Sequence, residues 1–138
     1  MPDALYVLPD SVLALIQYYR ARPEIAALLP ASTSIEATLP AGWAGTAFVL
    51  VNLAGSGGIW PAVGDDAIQV DCYAPTKDAA SALARTVRAA TWAIRNDTVA
   101  AGTLMRGLEE IGPQWLPDSL PTIPVDRFTA RYRIIFTP

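Results

Sequence analysis

Ser56 lies within Gly55-Ser56-Gly57-Gly58, a run whose residue types suit a phosphate-cradling loop. Such a loop takes a strand before it, a helix after it and a lysine near its end. Backbone amides, the helix terminus and the ammonium then share the charge of the anion. Here the run leads into Ile59-Trp60-Pro61 with no lysine close by, so a flexible connection accounts for it better. Asp65, Asp66 and Asp71 are carboxylates of the kind that hold divalent cations. Asp65-Asp66, however, reads as a turn before a strand, where aspartates are frequent for local hydrogen-bonding reasons. Glu109 and Glu110 fail as an acid–base pair, because adjacent strand residues point to opposite faces. Cys72 is the sole cysteine and has no partner for a disulfide or a metal site. Histidine is absent altogether, so neither Ser56 nor Cys72 has the usual base to activate it. The sequence therefore predicts no enzyme: no catalytic residue, no cofactor and no metal centre.

The composition favours contact over chemistry. Of the 138 residues 52% are hydrophobic and only 17% charged, with a mean hydropathy of +0.30. Soluble domains carry about 25% charged residues, so either the core is unusually complete or apolar surface is left over for a partner, and the abundance of alanine favours the second. The net charge of -3 and pI of about 4.7 argue against general nucleic-acid affinity. Nine of the ten cations are arginine, with Lys77 the only lysine. Arginine suits fixed bidentate contacts and is enriched at interfaces, although a GC-rich coding bias also favours it. No apolar run approaches the ~20 residues of a membrane span, and no basic segment precedes an apolar one at the start. The expectation is one soluble domain over 1–138, made in a cytoplasm, with no membrane partner.

These residues need elements to hold them. Asp10 or Ser11 caps a helix over about 10–21, with Val12, Leu15, Ile16 and Tyr19 at helical spacing. Pro23 opens a short helical piece over Glu24–Leu29, and Ile35–Leu39 suits a short strand. Thr46–Asn52 is a buried strand by its β-branched, apolar run. Leu53–Asp66 reads as a long glycine-rich connection. Ala67–Ala74 alternates, with Ile68, Val70, Cys72 and Ala74 on one face. Thr76 caps a second helix running to about Arg95-Asn96, whose stripe of Ala80, Leu83, Ala84, Val87, Ala90, Thr91 and Ile94 can lie on a sheet. Leu104–Ile111 alternates approximately, Trp115–Pro124 is an extended loop, and Arg127–Thr137 is a closing strand. The fold class expected is α+β: a single mostly antiparallel sheet, order α-β-β-α-β-β, with two main helices packed on one face.

On the second helix Arg85, Arg88, Trp92 and Arg95 fall within roughly an 80° sector at 100° per residue. Guanidinium groups around an indole are typical of interface hot spots, though arginine stacked on Trp92 needs no partner. Trp43, Trp60 and Trp115 lie in Gly/Pro-rich segments, either as lids on the second face of the sheet or as anchors for neighbouring subunits. Arg131 and Arg133 share a strand face and are placed to pair with Asp71 or to reach another chain. The candidate interface residues are thus Arg85, Arg88, Trp92, Arg95, Trp60, Trp115, Arg131 and Arg133.

The block IQVDCYAPTKDAASALARTVRAATWAI, followed by VDRFTARYRIIFTP, resembles the tail terminator (tail completion) proteins of long-tailed, siphovirus-like phages. Gln69, Asp71, Tyr73, Leu83, Val87 and Arg88 match the first part of the family pattern, and Arg127, Phe128, Tyr132 and Ile134 the second. The resemblance implies a homohexameric ring in the neck of a virion, assembled in a bacterial cytoplasm. Such a ring caps the tail tube protein, stops its polymerisation and joins the head-completion or stopper protein, leaving a channel through which DNA passes unbound. The segments 53–66 and 113–124 depart from the pattern where the family meets tube or neck. Other readings are another head–tail connector or tail tube subunit, or a small-ligand binding module.

Overall fold

The computed structural model describes residues 5, 7–59, 62–116 and 123–138. Helix α1 spans Ser11–Arg20, where the Asp10 carboxylate accepts from the Leu13 amide at 3.1 Å. Pro23 opens the single turn α2, Pro23–Ala26, which is shorter than the sequence predicts. Helix α3 covers Lys77–Trp92, with Thr76 accepting from the Ala79 amide at 3.2 Å and Asp78 in its first turn. Both caps satisfy amides that have no partner inside the helix.

The strands are β1 (Ile35–Glu36), β2 (Phe48–Gly55), β3 (Gly58–Ile59), β4 (Val63–Ala74), β5 (Arg95–Val99), β6 (Gly102–Leu116) and β7 (Asp126–Thr137). They form one sheet of order β1-β2-β4-β7-β6-β5, with β3 also paired to β4. All pairings are antiparallel except β1 with β2, so the sheet is mostly antiparallel and the class α+β.

Three sequence expectations are corrected. The glycine-rich stretch from Leu53 is not irregular. β2 runs on to Gly55 and pairs Leu53 with Ile68 and Gly55 with Ala67, after a register shift. β3 then pairs with Val63 and Gly64, so Asp65 and Asp66 lie inside β4 rather than in a turn. Second, α3 stops at Trp92 and Arg95 begins a strand that the sequence reading assigned to the helix. Asn96 takes a left-handed φ of 52°, which asparagine tolerates and which ends the helix, and the Asp97 carboxylate accepts from the Arg95 amide at 2.8 Å. Third, Trp115 belongs to β6, not to a loop. Gly112 and Pro113 fit within that strand because they fall in the register shift between Ile111 and Gln114, where no ladder amide is needed.

A single buried cluster draws on α1 (Leu15, Tyr19), α3 (Leu83, Val87), β4 (Ile68, Val70) and β7 (Tyr132, Ile134). The two long helices also touch: the Tyr18 hydroxyl donates to the Ala90 carbonyl at 2.6 Å, and Tyr19 bonds Thr91 at 2.6 Å. Gly107 of β6 lets α3 come close, since a Cβ there would sit 2.3 Å from the Thr91 carbonyl oxygen. Small residues along the helix stripe and on the sheet thus bring Trp92 and Arg88 down onto β6.

Candidate interaction surface

The groups suggestive of chemistry are committed to structure except Ser56, which is exposed in the short connection between β2 and β3. Asp66 accepts a hydrogen bond from the Ser11 hydroxyl and locks the start of α1 to β4. Asp71 accepts from the Gln69 amide group at 3.3 Å. Glu109 and Glu110 do point apart: Glu109 pairs with Arg88 on the helix side, and Glu110 lies 3.8 Å from Arg133 on the other. Among the described residues no three His, Cys, Asp or Glu side chains cluster to hold a metal. Cys72 is 2% exposed, and burial pushes its thiol well above the ordinary thiol range. The thiolate is the nucleophile, so native protein should resist iodoacetamide at pH 8 over hours and label fully once unfolded. Rapid stoichiometric labelling without denaturant would contradict this burial.

The predicted helix surface is brought together only in part. The Arg88 guanidinium makes a bidentate bond to Glu109, with Nε to Oε1 at 2.6 Å and an Nη2 bond at 2.9 Å. It also lies 4.3 Å over the Trp92 ring, which remains 46% exposed. The hydrogen bond to Glu109 is the main cause that raises the Arg88 pKa further. Arg88 therefore braces α3 against β6 as well as facing outward. Arg95 is off the helix, and its guanidinium donates to the carbonyls of Trp92 at 2.9 Å and Ile94 at 2.6 Å, capping the helix end. Of the three arginines, Arg85 alone is exposed with neither an ion pair nor a hydrogen bond among the described residues.

Arg85 lines a groove of about 490 Å³ between α2 and α3, with Arg22 and Glu24 on its rim and Ala82, Thr86 and Ala89 on its floor. The sequence reading missed Arg22 and Glu24, because nothing in the spacing of two residues before and after Pro23 places them beside a helix sixty residues away.

On the opposite side of the sheet, Arg133 pairs with Asp65 rather than with Asp71, since Ala67 is its register partner and Asp65 lies diagonally. That hydrogen bond is the leading cause of the raised Arg133 pKa. Arg131 lies opposite Gln69 in a shallow depression of about 200 Å³, bounded by Ile111, Gln114, Leu116 and Thr129. Leu108, Ile111 and Leu116 share this face, being paired with Arg133, Arg131 and Arg127, and stand 37%, 43% and 36% exposed. Their apolar exposure was legible in the alternation of β6 but was not singled out.

The tryptophans divide. Trp43 folds back on the second face, with its ring 5.2 Å from Tyr73 and 6.3 Å from Phe48, and covers both. Trp115 donates to Asp126 at 3.1 Å and carries the Lys77 ammonium 4.2 Å from its ring centre. Trp60 lies outside the described residues. The chain therefore presents two unlike surfaces, a small-residue groove beside α3 and an apolar, arginine-bearing sheet face. No described helix is long and apolar enough to cross a membrane.

No protein-family model matches the chain, and no curated protein matches it in sequence. Among solved structures, the chain is similar to one from the "Virion of native gene transfer agent (GTA) particle", with a TM-score of 0.60 at 17% identity. The match covers 91% of this chain and 93% of that one, so it is a likeness of nearly the whole fold.

Proposed function

We propose that this chain is a structural virion subunit of tail-terminator type, forming a hexameric ring that caps the tail tube and joins it to the neck. The observation that carries the reading is the fold likeness to a chain of a gene transfer agent virion over nearly the whole of both chains. The residues that resemble the terminator pattern support it by position. Gln69, Asp71 and Tyr73 lie on the central strand β4, Leu83, Val87 and Arg88 on α3, and Tyr132 and Ile134 on β7 between β4 and β6.

A cyclic ring uses heterologous contacts, one surface of a subunit against a different surface of the next. The α3 groove and the arginine-bearing sheet face are among the unlike surfaces open to such contacts. A chain of net charge -3 suits a channel that passes DNA without holding it. The role assigns no chemistry, and the committed state of Cys72, Asp66 and Asp71 is in keeping with that.

Native mass spectrometry of the purified chain, alone and mixed with tail tubes, tests the reading. A discrete hexamer, or a monomer that becomes one on tube ends, is expected. Open polymers would point to a tube subunit instead. A monomer indifferent to tube ends would sink the proposal.

A further inference from the structure

Nearly every described carboxylate accepts a hydrogen bond or joins an ion pair within the chain. Asp78 is the exception among the described residues. It is exposed in the first turn of α3, where it complements the helix N-terminus but bonds nothing, and its neighbour Ala79 is exposed and small. Arg85, on the same helix, is an exposed cation with no ion pair. Seven residues separate the two, which places them on one face but about 10 Å apart along the axis. They cannot meet within one chain.

The groove beside Arg85 has a second unmet need. The Arg22 Nε makes no hydrogen bond; its guanidinium has a loose ion pair with Glu24 Oε2 at 3.6 Å and lies 5.8 Å from the Tyr18 ring centre. A buried donor without an acceptor is costly until one arrives. The floor asks for nothing polar, since the Thr86 hydroxyl is already spent on the Ala82 carbonyl at 2.9 Å. The groove thus fits a slim, carboxylate-tipped segment: small residues for the floor, an anion for two guanidinium groups.

We propose that the first turn of α3 in a second copy supplies it, with Asp78 of one subunit entering the α2–α3 groove of the next and pairing with Arg85 and Arg22. Asp78 and Arg85 stand about 10 Å apart along α3, so a copy that gives its Asp78 to one neighbour and receives the Asp78 of another makes a heterologous contact, and repeating it generates a ring. It rests on the ring reading above and adds which surfaces meet.

The test is a charge swap read by native mass spectrometry and sedimentation over a concentration series. Asp78→Arg and Arg85→Asp should each raise the concentration for half-assembly at least about tenfold, since each sets like charges face to face. The double variant Asp78→Arg/Arg85→Asp should return it to within about threefold of wild type. Ala89→Trp fills the groove without altering charge and should also block assembly. Circular dichroism should be unchanged throughout, as all three side chains are exposed. A wild-type ring indifferent to Arg85→Asp or to Ala89→Trp overturns the contact alone, as does a double variant no better than the singles. A closed dimer showing the same swap behaviour overturns it too, because the pairing is then isologous. A wild-type chain that forms no ring under any condition, tube ends included, sinks both readings together.

Discussion

Tyr19→Ala should lower the unfolding free energy by about 3–5 kcal/mol, the range for deleting a buried aromatic ring. Tyr19 is fully buried in the cluster between α1, α3 and the sheet. Its loss opens a cavity at the point where the two long helices meet. At this chain length the unfolding midpoint should fall by more than about 10 °C. Tyr19→Phe separates ring from hydroxyl. The Thr91 hydroxyl already donates to the Val87 carbonyl at 2.8 Å, so Tyr19 must be the donor in its bond to Thr91. Removing that donor leaves Thr91 with one satisfied bond, and the cost should be only about 0.5–1.5 kcal/mol. Thermal or urea unfolding of both variants measures this. A Phe variant as damaged as the Ala variant would mean that the hydroxyl, not the packing, holds α1 to α3.

The same packing explains which parts of the fold can be read from residues alone. β4 was legible because Ile68, Val70, Cys72 and Ala74 alternate with Gln69, Asp71 and Tyr73, and such a pattern has one buried solution. α3 was legible at its start, where Thr76 caps the first turn and Asp78 complements the helix N-terminus, but not at its end. Arg95 and Asn96 continue a helix-compatible sequence, and only the left-handed Asn96 and the pairing of β5 with β6 decide otherwise. The glycines at 55 and 58 signal a loop locally. Their strand conformation comes from partners on β4 beyond the turn, a tertiary preference that outweighs propensity.

The interaction surface divides along the same line. Arg85, Arg88 and Trp92 share a helix face by spacing, and that much was visible. Whether each guanidinium is free or spent depends on residues brought in by folding. Glu109 is twenty-one positions from Arg88 and reaches it only because β6 runs beneath α3. Arg22 reaches the groove only because α1 packs against the sheet beside α3. A sequence therefore shows which side chains are candidates for contact, while the fold sorts those already paired from those left for a neighbour.

Gly107→Ala should cost about 1–3 kcal/mol, as expected for adding a methyl group to a tightly packed site. The new Cβ would meet the Thr91 carbonyl oxygen at 2.3 Å, the Thr91 methyl at 2.9 Å and the Ile94 Cδ1 at 3.2 Å. The first of these is backbone, so no rotamer change relieves it, and α3 must lift from β6. That movement pulls Arg88 from Glu109 and tilts Trp92, so assembly should weaken beyond what the stability loss alone produces. Gly112→Ala is the matched control on the same strand. Its Cβ would meet only the flexible Glu109 carboxylate, no nearer than 3.4 Å, and stability should change by less than about 0.5 kcal/mol. If Gly107→Ala proves as neutral as Gly112→Ala, the close approach of α3 to β6 is wrong. If it destabilises the subunit yet leaves ring formation intact at a temperature where it stays folded, the height of α3 above the sheet does not govern the contact between copies.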